Sequence, residues 1–558
     1  MQDSPPLKQA QKPAPEPPLK SAPRPVRKFE AVWKAEAEAV LGSRWASGAL
    51  FWPVAVAVLF AAVQLAIVVP GSGLGWDETV YVSQVGGNAP SAFFSAPRAR
   101  GISYLVAPAA ALTTSTTALR VYLALLSAAA LFLALRVWRR VLPPPVLAGA
   151  GALFAGLWPT LFYGPAAMPN LWCALGALAA TGWVVTAIRR AAGPSAVAGS
   201  GAAVALVALM RPADGFWLAL PLALAVTLVP GRRRPRLCAS LVGGLVAGCT
   251  PWVAEAYARY GGLGARLHRA GEIQGGLGWN VAVDDHLRAL AGRTLCRPCD
   301  IGWESPGTSV WWVALPFLTV GGIAAARRAG RGTAALLATV TGVSMALPYL
   351  FLVEYAAPRF LLPAYALLAV PVAEYVAYLF ARVRRARRRV GTAALALVLA
   401  AHLTVQLSVL SHVIRTSHAT STEFAAVAGE LHRLGVRPPC VVSGENAVPI
   451  AYYSGCASRQ TAGHDACITP EALRALARHV PTAVLTAGDG TAPGDGMANG
   501  DGTATGGGMA GEGTPPPADG GSRSVSLLPG RGGPALYQAH LLPGPAADAD
   551  DHRARLPE

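Results

Sequence analysis

Charged residues are scarce in this chain. They make up 14% of its 558 residues, against roughly 25% in an ordinary soluble domain. Acids are the scarcest: residues 50–411 contain eleven Asp and Glu in all. Apolar residues make up 53% and fall in blocks of about 20, the length that crosses a roughly 30 Å hydrocarbon layer as a helix. This excludes a soluble protein with one large core. A cleavable signal peptide is also lacking. The first apolar block begins near Leu50, after a long polar leader, and is expected to be a retained signal anchor.

What is present is a regular alternation. Apolar blocks at about 50–70, 117–137, 144–163, 170–188, 195–211, 215–230, 237–256, 309–326, 333–353, 361–381 and 391–411 predict about eleven transmembrane helices. The formal net charge of +17 does not imply nucleic acid, because the basic residues concentrate in short runs between blocks. Runs at Arg136–Arg140, Arg189–Arg190, Arg232–Arg236, Arg327–Arg331 and Arg382–Arg389 follow even-numbered blocks. With the leader they hold 26 of the 47 Lys and Arg. That asymmetry predicts a cytoplasmic N-terminus and an extracytoplasmic C-terminus in a multi-pass cell-membrane protein.

The expected organisation follows. Residues 1–46 form a disordered basic cytoplasmic leader. Residues 47–411 form the transmembrane domain, with external loops at 71–116 and 257–308. Within the first loop, Ile102–Leu112 is apolar but too short to span, and suits a re-entrant or interfacial helix. Residues 412–487 mix helical and strand patterns (helices Glu423–Leu434 and Pro470–His479, strands Cys440–Ser443 and Ala483–Thr486), predicting a small external α/β domain. Ser421 is placed to cap its first helix. Residues 488–522 are rich in Gly, Ala and Pro and are expected to be disordered. Residues 523–542 supply closing strands, and 543–558 form a polar tail.

The stretch that stands out is Gly75-Trp76-Asp77-Glu78-Thr79-Val80-Tyr81, just after the first helix. Adjacent carboxylates repel one another, and beside a membrane they tend to pair with cations or bind metal. The bland alternative is that they solvate the loop and cap a helix. Arg98, Arg100, Arg120, Arg211 and Arg359 lie at helix ends on the same predicted face as Asp77. They break the positive-inside trend, and forked guanidinium groups suit a phosphate. Pairing with Asp77, Asp214 and Glu354, or with lipid headgroups, is the competing reading.

These features resemble the GT-C membrane glycosyltransferases, specifically bacterial proteins of the protein mannosyltransferase and aminoarabinose transferase type (glycosyltransferase family 39-like). The likeness lies in a first helix, an external Asp-Glu loop followed by an aromatic, a Pro/Arg segment, many helices and an external C-terminal domain. Tyr355-Ala356-Ala357-Pro358-Arg359-Phe360-Leu361-Leu362-Pro363 is similar to the family's Arg-Tyr-x-Leu-Pro segment, and Met210-Arg211-Pro212 to its basic-Pro step. The resemblance covers roughly residues 45–485. It implies an inverting enzyme that moves a sugar from a polyprenyl-phosphate donor to an acceptor hydroxyl on a protein, cell-wall glycan or lipid. It makes Asp77 the catalytic carboxylate, with Glu78 orienting it or sharing a divalent cation (Mg or Mn) with it. Arg98, Arg100, Arg211 and Arg359 become phosphate contacts. The chain departs from the family at Ala96-Pro97-Arg98, where relatives often have His-Pro-Pro. At Ala167-Met168-Pro169-Asn170 it lacks a second acidic residue.

Of eight cysteines, Cys173, Cys238 and Cys249 fall in apolar blocks. Cys296-Arg297-Pro298-Cys299 favours a loop disulfide over zinc, which usually takes four ligands. Cys440, Cys456 and Cys467 allow one pair and one free thiol. His286, beside Asp284 and Asp285, suits a site or, as the favoured reading, a solvated loop. Glu255 and Glu374 either line a lipid-phosphate path or pair with a neighbouring Arg or Tyr. Two other classes stay open: a transporter or flippase of a lipid-linked glycan, which should show internal repeats or broken helices, and a non-catalytic membrane scaffold.

Overall fold

The computed structural model describes residues 50–189, 193–228, 234–276, 278–297, 299, 302–303, 305–385, 389–487, 523–529 and 535–543. The expected leader, the Gly-rich insert and the polar tail after residue 543 lie outside them.

Among the described residues, all eleven apolar blocks are helical. The helices, numbered in chain order, begin with α1 (Phe51–Val63), α2 (Trp76–Ser83), α3 (Gly101–Ala110), α4 (Thr116–Trp138), α5 (Pro144–Ala155) and α6 (Trp158–Tyr163). There follow α7 (Asn170–Arg189), α8 (Pro194–Met210), α9 (Pro212–Leu228), α10 (Arg234–Arg259), α11 (Leu263–Ile273) and α12 (Val283–Ala289). The last are α13 (Val310–Arg328), α14 (Gly332–Phe351), α15 (Leu362–Arg385), α16 (Arg389–Arg433), α17 (Ala447–Ser454) and α18 (Pro470–Ala477). By length and composition, 8 described helices can cross a membrane. Helices α8 and α9, at 17 residues each, sit at the lower limit. This is an α-helical polytopic membrane protein with a small sheet region near its C-terminus.

Two expectations are corrected. The block at 144–163 is not one helix but two, α5 and α6, with Leu157 extended between them. Pro159 cannot continue the hydrogen-bond ladder and would crowd the carbonyl of residue 155. The freed N–H of Trp158 donates to Gln406 Oε1 on α16 at 3.0 Å. Secondly, the last apolar block and the predicted helix at 423–434 are one helix of 45 residues, roughly 67 Å long at 1.5 Å per residue. No proline interrupts Arg389–Arg433, so the change from apolar to amphipathic composition does not break it. Ser421 therefore caps nothing; its hydroxyl donates to His418 O within the helix at 3.1 Å.

Helices α8 and α10 pack closely because glycines face across them. A Cβ on Gly244 would meet the Gly201 carbonyl at 2.2 Å, the close approach that small residues permit in membranes. At the far end of the bundle from the Asp-Glu loop, Arg331 grips Glu374 with both arms, at 2.6 and 2.7 Å. Glu374 is thus committed to an ion pair.

The strands are β1 (Val441–Gly444), β2 (Ala457–Ser458), β3 (Thr482–Ala487), β4 (Arg523–Pro529) and β5 (Ala535–Leu541). They form one sheet in the order β2-β1-β3-β5-β4. β1 is parallel to both neighbours, and β5 is antiparallel to β3 and β4. The last turns of α16 bury Phe424, Val427 and Leu431 against Val442, Ile450 and Leu485. One helix thus belongs to both cores. A disulfide ties Cys440 to Cys456, and another ties Cys296 to Cys299. Cys467 is free and exposed.

Candidate active site

Helix α2 starts where Gly75, with an extended backbone, turns the chain. Asp77 and Glu78 occupy its first turn, where the helix dipole favours negative charge. Neighbours in sequence, they face different partners.

Glu78 meets Arg120 of α4 in a forked pair, Oε1 to Nη1 at 2.6 Å and Oε2 to Nη2 at 2.7 Å. Its oxygens also accept the backbone N–H groups of Ala167 at 2.7 Å and Gly75 at 3.0 Å. Arg120 in turn donates to the carbonyls of Pro165, at 2.9 Å, and Gly73. Both side chains are buried. The pair bolts the first loop to α4 and to the turn before α7.

Asp77 is held by two arginines from distant parts of the chain. Arg98 Nη2 donates to Oδ1 at 2.7 Å, and Arg359 Nη2 to Oδ2 at 3.3 Å. Arg359 sits in the 3-10 turn Pro358–Leu361 ahead of α15. Its other arm donates to Thr294 O at 2.9 Å. Thr294 lies two residues before Cys296, whose backbone exchanges hydrogen bonds with Ala356 at 2.9 and 3.2 Å. The Cys296–Cys299 loop and the Arg359 segment thus brace each other. On its other side, Arg98 Nη1 lies 3.6 Å from Asp465 of the loop between β2 and α18.

The remaining predicted arginines do not reach Asp77. Arg100 forks onto Glu255 Oε1 at 2.6 and 3.0 Å, donates to Gln84 at 3.0 Å and stacks on Phe94. Arg211, in the extended step between α8 and α9, lies 3.8 Å from Asp214 and over the rings of Tyr349 and Phe360. Phe360 also lies beneath Arg359, at 5.3 Å, so Arg211 adjoins the site through that ring.

Arg266 has no counterpart in the sequence reading. Fully buried on α11, it donates to the carbonyls of Ala96 (3.0 Å), Arg98 (3.0 Å) and Trp252 (2.7 Å), and to Glu255 Oε2 (3.0 Å). Trp252 and Tyr260 flank its guanidinium. It clasps both sides of Pro97 and so fixes where Arg98 points. The available signal was an arginine in an amphipathic stretch just after two aromatics, which is too common to single out.

His286 is buried, not solvated: its ring lies against α14, Nε2 donating to Tyr349 O at 3.2 Å. Loss of water lowers its pKa to about 4. It touches neither Asp77 nor the arginines described above.

A cavity of about 120 Å³ opens beside Asp77, Glu78 and Arg359. Its walls include Trp76, Tyr163 and the face of α16 that bears Ser417 and Thr420. The sheet region steadies this mouth. Tyr453 of α17 accepts the Leu74 N–H at 2.7 Å, and Asn88 donates to Tyr452 O at 2.9 Å. The donor set does not fit a divalent cation shared by Asp77 and Glu78. Glu78's acceptor positions are filled, Asp77 faces two guanidinium groups, and no group of three His, Cys, Asp or Glu gathers among the described residues.

No protein-family model matches the chain, and no curated protein matches it in sequence. Solved structures do. ArnT from Cupriavidus metallidurans bound to undecaprenyl phosphate superposes with a TM-score of 0.57 at 14% identity, covering 79% of this chain and 93% of that one. The same protein in the apo state gives 0.55 at 12%, covering 80% and 94%. The archaeal oligosaccharyltransferase AglB from Archaeoglobus fulgidus, in complex with an inhibitory peptide and a dolichol-phosphate, gives 0.47 at 15%, covering 77% and 65%. The chain carries the GT-C fold.

Proposed function

We propose that the protein is an inverting membrane glycosyltransferase that takes a sugar from a polyprenyl phosphate and gives it to an acceptor hydroxyl on the extracytoplasmic face. The observation that carries this reading is the carboxylate of Asp77, held between two buried arginines at the edge of a cavity. Undecaprenyl phosphate in the similarly folded ArnT supports a lipid-phosphate donor.

The chemistry follows from the contacts. The acceptor oxygen attacks the anomeric carbon, and the bond from that carbon to the phosphate oxygen breaks. The bonding pair leaves with the lipid phosphate. Asp77 takes the acceptor's proton, which needs one oxygen within hydrogen-bond reach. Oδ2 is the oxygen for this role, because Arg359 holds it at 3.3 Å while Arg98 holds Oδ1 at 2.7 Å. When Arg359 turns to the donor phosphate, it frees Oδ2 and stabilises the leaving group. Arg98 keeps Asp77 aimed. Arg211, across the Phe360 ring, is the second phosphate contact. Glu78 supports the loop through Arg120, and no step runs through a metal. The basic runs orient the N-terminus toward the cytoplasm, which puts the cavity and sheet region on the far side. The acceptor is a protein, a cell-wall glycan or a lipid.

The test is transfer from a panel of radiolabelled polyprenyl-phosphate sugars into membrane acceptors, wild type beside Asp77→Asn. Label moved by the wild type and not by the variant supports the reading and identifies the donor. A wild type that transfers from no donor, or a variant as active as wild type, overturns it.

A further inference from the structure

The loop that closes through Cys296 and Cys299 takes no part in the chemistry above, yet it is zipped to the segment that carries Arg359. Three contacts run in antiparallel order. The guanidinium of Arg297 lies 4.7 Å over the Tyr355 ring. Cys296 and Ala356 exchange backbone hydrogen bonds at 2.9 and 3.2 Å. Thr294 O accepts from Arg359 Nη1 at 2.9 Å. Gly292 and Thr294, in the same stretch, line the cavity beside Asp77. The bridge itself sits in a small apolar cluster: Cys296 and Ala356 are buried with Ala289 of α12, and Cys299 packs against them.

In the proposed reaction Arg359 leaves Asp77 and turns to the phosphate. Its other arm stays on Thr294 O, so the position of that carbonyl decides where the free arm reaches. The carbonyl belongs to a connecting stretch rather than to a helix, and the nearby disulfide is the covalent link that fixes it. The two disulfides differ in access. Cys440 and Cys456 are buried in the core of the sheet region, whereas Cys299 is half-buried. Exchange needs a thiolate to reach a sulfur, and accessible bridges are the labile ones.

We propose that the Cys296–Cys299 disulfide positions Arg359 for the donor phosphate, and that a dithiol which reduces it lowers transfer. This rests on the proposed reaction for the role of Arg359. One thiolate of the dithiol attacks Cys299 Sγ, the S–S bond breaks, and Cys296 leaves as a thiolate that takes a proton. The second thiolate of the reductant attacks the mixed disulfide and releases Cys299, which takes the second proton. Two electrons pass to the cysteines, and the reductant ends as a disulfide. The open loop no longer holds residues 294–297 firmly against 355–359, so Thr294 O loosens and Arg359 with it. The cysteines touch no substrate and act as positioning residues.

The experiment places the full chain in lipid nanodiscs with graded dithiothreitol. Alkylation and mass spectrometry report which bridge is open. Bare polyprenyl phosphate is the binding probe, because it carries the charge of the leaving group and reports the Arg359 contact without transfer. Transfer is assayed in parallel. Cys296–Cys299 should open before Cys440–Cys456. Its opening should weaken lipid-phosphate binding about three- to tenfold and lower kcat by a similar factor, and reoxidation should reverse both. The double variant Cys296→Ser, Cys299→Ser should match the reduced wild type and ignore dithiothreitol; if it does not fold, reduction of the wild type decides alone. Arg359→Lys, which cannot hold Thr294 O, should bind weakly from the start and change less than about twofold on reduction. A bridge that opens only as the protein unfolds, or an open bridge with lipid binding unchanged, overturns the proposal. An equal loss on reduction in Arg359→Lys also overturns it, since the bridge would then be a general staple. Redox-dependent binding without transfer from any donor upholds the role of the bridge and overturns the transfer reading. Transfer that reduction leaves unmoved does the reverse.

Discussion

Asp77 and Glu78 are adjacent in sequence and both are paired with arginine, yet their surroundings differ. Glu78 has a forked guanidinium and two backbone amides on its two oxygens. Asp77 accepts from Arg98 at 2.7 Å and from Arg359 at 3.3 Å, and a cavity lies beside it. A carboxylate whose acceptor positions are all filled holds structure, because moving any partner uncovers a buried charge. A carboxylate with a loosely held oxygen next to open space can exchange that partner for a substrate. The difference separates scaffold from chemistry within one turn of helix.

The largest expected effect breaks the open centre. Asp77→Asn keeps the shape and removes the base, so transfer should fall by about 10³-fold; thermal stability should fall less than in Glu78→Gln, because Arg98 keeps Asp465 at 3.6 Å and Arg359 keeps Thr294 O at 2.9 Å. An equal loss of melting temperature would show that Asp77 is a bolt as well. The mirror experiment breaks the closed centre. Glu78→Gln leaves Arg120 buried beside a neutral amide, which should cost about 3–5 kcal/mol, read as a lower unfolding temperature in detergent. Protein that still folds should keep its turnover within a few-fold. If Glu78→Gln instead abolished transfer at unchanged stability, the roles assigned to the two carboxylates would have to be exchanged.

How much of this is legible in the sequence depends on the range of the interaction. The apolar blocks are legible because length and composition decide membrane insertion residue by residue. The Asp-Glu pair stands out because acids are so few. Which arginines reach it is not legible: Arg98 is 21 residues from Asp77 and Arg359 is 282, while Arg100, two residues from Arg98, turns to Glu255. The continuity of α16 is hidden for another reason. Its composition changes at the point where it leaves the apolar block, and composition reports environment rather than backbone. Helix α17, which carries Tyr453 to Leu74, lies in a stretch with no helical period long enough to read.

His286 offers a third buried polar centre, neutral where the other two are charged. Its pKa in the folded protein is about 4 against an ordinary 6.5, so between those values the unfolded chain binds a proton that the folded chain does not. Stability should therefore be intact above pH 6.5 and fall as pH drops toward 4, by about 3 kcal/mol in all. His286→Gln should unfold with a shallower dependence over that window, measured by denaturation at pH 7 and pH 4.5. An identical acid dependence in wild type and variant would mean that the ring is solvated in the folded protein.

The smallest effect tests whether an arginine's role follows from its carboxylate. Arg359 and Arg100 each pair with an acid, but only Arg359 borders the cavity. Lysine keeps the charge and loses the fork. Arg359→Lys cannot hold Thr294 O and reach a phosphate with two parallel donors, so kcat/KM for the donor should fall about tenfold, mainly through kcat because the lost contact is to the leaving group. Arg100→Lys still has Glu255 within reach of its charge and touches no substrate, so kcat/KM should stay within about twofold. Equal losses in the two variants would mean that arginines act here by total charge, and that the open centre has no privileged partner.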